Sequence, residues 1–240
     1  MTQAKPEWVC LSLQMISWTE PLTPLHMDFE IEEQCLKAMF SPSSYSDREL
    51  DELEQAEQLT PAQTRALAHR GQSIRLENLK HLDETVSRQL MRCQHELNLP
   101  AVTEVSEEVA FNLGHCPGFL KLSGLRTITV EVAQWISRTP HWLDLGGLTA
   151  ISIPVARQLA QHQGWLSLRG LTHLSPLMAQ TLATHAGRGL SLAGVRKLSQ
   201  RAAEELCKHR GRTLRLAAMG NCPPEVRAVL HKHHGEVLFR

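Results

Sequence analysis

From Leu59 onward, apolar residues return in one fixed order. The stretch Ser152 to Leu171 shows it. A polar residue, Ser152, opens the unit, and a small residue, Ala156, follows four positions later. An apolar anchor, Leu159, falls seven positions after the opening residue. A glycine, Gly164, precedes Leu166, Leu168 and Leu171. Anchors spaced three and four apart predict a short amphipathic helix, and the apolar-x-apolar that follows predicts a short strand. The strand leucine recurs as Ile74, Leu97, Leu120, Leu143, Leu166, Leu190, Leu214 and Leu238, spaced 23 residues four times and then 24 three times. A period of that size predicts a solenoid.

The polar positions agree with the apolar ones. Thr60, Asp83, Ser106, Thr129, Ser152, Ser175 and Ser199 are placed to cap helix N-termini. Pro61 and Pro176 fall at the first helical position, where no hydrogen bond is lost. Gly71, Gly118, Gly164, Gly187, Gly211 and Gly235 read as left-handed helix stops. Strands joined through helices run parallel, and helices need about twice the spacing of strands. The expected fold is α/β: a solenoid of about eight helix–strand repeats, with a parallel sheet on the concave side and helices outside. Asn98 and Pro100 predict a distorted second rung.

Residues 1–58 stand apart. Trp8 to Ile16 reads as a capping strand, Phe29 to Phe40 as a short helix, Ser41 to Ser46 as a linker and Asp47 to Gln58 as an acidic helix. The expected division is therefore an N-terminal cap and acidic segment over 1–58 and a repeat array over 59–240. Charge follows the same division. Residues 1–58 hold three Lys or Arg against twelve Asp or Glu, and the remainder holds 22 against 13. With 42% hydrophobic residues the chain has material for a core. None of its six cysteines forms a Cys-x-x-Cys pair, and the helix spacing argues against a Cys93–Cys116 disulfide. No apolar run has the length of a signal core or a membrane span, so a cytoplasmic location is expected.

The segments Leu166-Ser167-Leu168-Arg169-Gly170-Leu171-Thr172-His173-Leu174-Ser175 and Ala179-Gln180-Thr181-Leu182-Ala183-Thr184-His185-Ala186-Gly187 resemble bacterial leucine-rich-repeat proteins. The resemblance covers about residues 59 to 240. It implies a protein-recognition module and brings no catalytic motif. One departure is plain: Leu125, Leu148 and Leu171 stand where leucine-rich repeats carry asparagine. The turn after each strand must then be satisfied in another way.

Three sets of residues carry candidate chemistry. His162, His185, His209 and His233 occupy one repeat position. A row of equivalent positions, each a helix diameter from the next, suits helix-end capping rather than convergence on a metal. No metal or cofactor is expected. Phe119, Trp142 and Trp165 precede the strand leucine in three successive rungs, so alternation puts them on the concave face with Lys121, Asp144 and Arg169. Exposed aromatics of that kind mark partner sites, the alternative being that they shield the junction between helix stop and strand. The last repeats are basic, and Arg196, Lys197, Arg201, Lys208, Arg210, Arg212 and Arg215 form a candidate phosphate-binding patch. No Walker loop, nucleophile elbow or zincin motif occurs, so no catalytic residue is assigned. The expected function is non-catalytic: a scaffold binding a partner protein on its concave face. The alternative is a nucleic-acid-associated factor using the basic C-terminal repeats.

Overall fold

The computed structural model describes residues 45–216 and 223–239. The expected strand at 8–16 and helix at 29–40 lie outside them. Nine helices and eight strands alternate among the described residues. They are α1 (Asp47–Leu53), α2 (Pro61–His69), β1 (Ile74–Arg75), α3 (Glu84–Leu90), β2 (Glu96–Asn98), α4 (Glu107–Gly114), β3 (Phe119–Lys121), α5 (Val130–Ile136) and β4 (Trp142–Asp144). Then follow α6 (Ile153–Leu159), β5 (Trp165–Ser167), α7 (Pro176–Ala183), β6 (Gly189–Leu192), α8 (Gln200–Leu206), β7 (Thr213–Leu216), α9 (Pro224–Leu230) and β8 (Glu236–Phe239). The strands form one open parallel sheet in chain order, β1 to β8. This is an α/β solenoid of eight helix–strand units, α2–β1 to α9–β8, preceded by α1.

The local rules read from the sequence hold at atomic level. Each of the seven expected N-cap side chains accepts a hydrogen bond from the backbone N–H three residues on. The acidic stretch is helical only from Asp47 to Leu53, where Ser46 and Glu49 form a capping box. The core is a set of columns. Leu97, Leu120, Leu143, Leu166, Leu190 and Leu214 are fully buried, as are Leu99, Leu122, Leu145, Leu168, Leu192 and Leu216. The helix anchors Leu90, Leu113, Ile136, Leu159, Leu182, Leu206 and Leu230 close the layer from the other side. Burying each such side chain contributes about 1.5–3 kcal/mol.

Three expectations are corrected, and a fourth holds. Leu214 pairs with Val237, not Leu238, so the last repeat returns to 23 residues. The second rung is regular: Glu96, Leu97 and Asn98 pair in register with Phe119, Leu120 and Lys121. Pro100 lies beyond the strand, where no donor is required. Among the described residues only Gly71 has a positive φ, at 68°. The other repeat glycines are there for space. A Cβ on Gly164 would stand 1.6 Å from His141 O, and one on Gly147 would stand 2.2 Å from Ser123 O. Successive rungs touch at these points, and only glycine fits. Lastly, the turn after the strand needs no asparagine. The N–H groups of Leu125, Leu148, Leu171 and Val195 bond back to the carbonyls of Leu122, Leu145, Leu168 and Leu192 at 3.1–3.2 Å.

Candidate functional site

The first strand position forms a continuous column, in which Trp142 pairs with Trp165, Trp165 with Gly189 and Gly189 with Thr213. Phe119 leads its aromatic part and is 46% exposed. The ring centroids of Phe119 and Trp142 are 6.5 Å apart, and Trp142 stacks on Trp165 at 5.4 Å. The Trp165 ring lies over Gly189, where a Cβ would come within 2.5 Å of it. Arg215 reaches from β7 and sets its guanidinium 5.2 Å from the Trp165 centroid, a cation–π contact. The two tryptophans are half-buried and Phe119 is the accessible end of the stack.

The polar residues beside the stack are paired. Lys121 Nζ lies 2.7 Å from Glu96 Oε1. Arg169 donates to the buried Asp144 carboxylate at 3.1 Å, and the Gly146 N–H donates to the same carboxylate at 3.0 Å. Asp144 therefore serves the face from within, whereas Arg169 remains exposed. These six predicted partner-face residues do come together on β3, β4, β5 and the turn after β5. Sequence reading missed the contribution of Arg215, which it had grouped with the basic patch.

The histidines behave differently from expectation. His162, His185 and His209 are fully buried and His233 nearly so. Their rings stack with centroids 6.3, 5.5 and 5.4 Å apart, well under a helix diameter, because the position lies on the turn leading into the sheet. They do not cap their own helices. The Gly235 N–H donates to His233 Nδ1 at 3.0 Å, which places the His233 proton on Nε2. That proton is given to His209 Nδ1, and the His209 Nε2 proton to His185 Nδ1, each across 3.2 Å. His185 Nε2 is buried without a partner among the described residues. His162 instead lies 3.1 Å from Ser137 O and 3.2 Å from His141 O. Burial, reinforced by the neighbouring imidazoles, depresses His185 to a pKa of about 4 and His209 to about 3, and burial lowers His162 too. In earlier rungs the same position holds Cys93, Cys116 and Thr139, all buried. Cys116 Sγ donates to Cys93 O at 3.2 Å and Thr139 Oγ1 to Ile136 O at 2.9 Å. Both cysteines are free. One interior column thus satisfies the rung carbonyls with three kinds of side chain. Among the described residues no group of histidines, cysteines and carboxylates is disposed to hold a metal.

The predicted basic patch is divided. Arg196 and Lys197 sit on the loop after β6 and Arg201 on α8, all exposed. Lys208, Arg210 and Arg212 lie in the linker from α8 to β7, at the opposite end of the rung. Lys208 is ion-paired to Glu205 at 2.7 Å. A second aromatic group, which the periodicity did not reveal, lies on the helices. Phe111, 43% exposed, meets Trp135 edge-on at 4.8 Å. Trp135 Nε1 donates to Glu107, and Arg138 lies over its ring at 4.2 Å.

No family model matches the chain, and no curated protein matches it. The repeat architecture therefore stands on its own geometry. No helix among the described residues is long and apolar enough to cross a membrane.

Proposed function

We propose that this protein is a non-catalytic, leucine-rich-repeat-like scaffold of bacterial type that works in the cytoplasm and binds a partner protein on the open face of its sheet. The observation that carries this reading is the aromatic stack. The core columns account for every leucine of β2 to β7, yet Phe119, Trp142 and Trp165 lie outside them. Their geometry is fixed by Gly189 on one side and Arg215 above, so little freedom is lost when a partner arrives. Rigid, partly covered aromatics beside an exposed ring are the usual composition of an interface anchor. The flanking Lys121–Glu96 and Arg169–Asp144 pairs match the charges beside the stack and leave the Arg215 guanidinium over Trp165 as its cation. The partner would present an apolar or aromatic group to Phe119.

The test is capture from a lysate of the native host with the full chain, the Phe119→Ser variant and the Trp142→Ala variant. A partner retained by the wild-type chain and lost with both variants, at nearly unchanged melting temperature for Phe119→Ser, supports the reading. Retention of the same partner by both variants overturns it.

A further inference from the structure

All eight linkers that carry the chain from a helix to the following strand share one property. Residues 70–73, 91–95, 115–118, 137–141, 160–164, 184–188, 207–212 and 231–235 contain eight Lys or Arg and no Asp or Glu. These linkers lie side by side along one edge of the sheet. A cation near a helix C-terminus is favourable, which accounts for the sign. It does not account for the distribution. Linkers 115–118 and 160–164 have no Lys or Arg, whereas the last three linkers have five. The change of period has the same address. The two 24-residue repeats gain their extra residue between His-x-Gly and the strand, and in both it is an exposed arginine, Arg188 and Arg212.

From this we infer that the helix-to-strand edge of the last three rungs binds the phosphate backbone of a single-stranded nucleic acid. Arg188, Arg210, Arg212 and Lys232 are exposed and, among the described residues, carry no ion pair. Gly189 pairs with Thr213, so the arginines just before them stand one strand spacing apart, about 4.8 Å. Their backbone is held: the Arg188 N–H donates to Gly164 O and the Glu236 N–H donates to Arg212 O, both at 2.9 Å. The result is a row of cations on a fixed frame, bordered by Glu236 at the start of β8. Cations alone suit any polyanion. The exposed Phe119 ring, at the start of its strand and so on the same edge, favours a strand with unpaired bases, because every base has a face to stack. It lies three rungs from Arg188, roughly 14 Å at the strand spacing. Arg196, Lys197 and Arg201 have no part in this site.

The experiment is fluorescence anisotropy of a labelled single-stranded oligonucleotide with the full chain. Four phosphate contacts give a salt slope of about −2.8, so affinity falls about 50-fold between about 50 and about 200 mM salt. The triple variant Arg188→Gln, Arg210→Gln, Arg212→Gln keeps its fold and reduces the slope to about −0.7. Phe119→Ala weakens single-strand binding about tenfold and leaves the slope alone. No binding at low salt, or an unchanged slope in the triple variant, overturns the inference. Displacement by polyglutamate as effective as by unlabelled oligonucleotide would assign the edge to an acidic protein instead. Equal affinity for duplex, with no effect of Phe119→Ala, would remove the single-strand assignment. The triple variant should still capture the partner protein, so the two functional readings fail separately.

Discussion

The rungs up to β5 and the rungs from β6 onward share one backbone but fill its columns differently. In the earlier rungs the interior polar column holds Cys93, Cys116 and Thr139, and the first strand position holds Phe119, Trp142 and Trp165. In the later rungs the interior holds His185, His209 and His233, and the first strand position falls to Gly189, Thr213 and Glu236. His162 sits at the changeover, bonded to backbone carbonyls rather than to another imidazole. The leucine columns cross this boundary without change. Core packing thus sets the rung, and the polar columns are free to vary within it. The earlier half presents rings with the Lys121–Glu96 and Arg169–Asp144 pairs beside them, whereas the later half gathers exposed arginines at its helix-to-strand edge.

Leucine-to-alanine changes should be blind to the boundary. Leu143→Ala in β4 and Leu190→Ala in β6 remove equally buried side chains, and each should cost about 2–5 kcal/mol in denaturant unfolding. A difference between the two beyond that range would show that the halves unfold separately.

Acid should divide the halves. The folded pKa values of His185 and His209 lie below the unfolded value, so the unfolded state binds protons that the folded state does not. Stability is therefore full above the unfolded value of about 6.5 and falls with pH down to the folded values, by about 1.4 kcal/mol per histidine per pH unit. Hydrogen exchange between pH 7 and 5, corrected for the intrinsic rate, should show β6 and β7 losing protection ahead of β3. His209→Gln should flatten that dependence. Uniform loss along the sheet would mean that the imidazole column does not set acid stability.

The smallest effect expected is at the caps. Thr129→Ala and Ser175→Ala each remove one first-turn acceptor, and each should cost about 1 kcal/mol in thermal unfolding. Equal costs on either side of the boundary would confirm that capping, like the core, belongs to the rung and not to the function.

The sequence by itself determined the repeat, the caps, the leucine columns and the grouping of Phe119, Trp142 and Trp165, because each depends on spacing along one chain and on period-two alternation. It erred wherever the answer depended on the distance between chains. The glycines after Gly71 looked like left-handed stops because their role, clearance for the neighbouring rung, leaves no trace in local conformation. Histidines placed by helix spacing were set too far apart, since they lie where the rungs converge toward the sheet. Arg215 was counted with the basic residues because nothing in sequence joins it to Trp165, two strands away. Val237 rather than Leu238 fills the last core position because strand register outweighs the preference for leucine. Local pattern wrote the rung, and only the stacking of rungs decided which polar side chains meet.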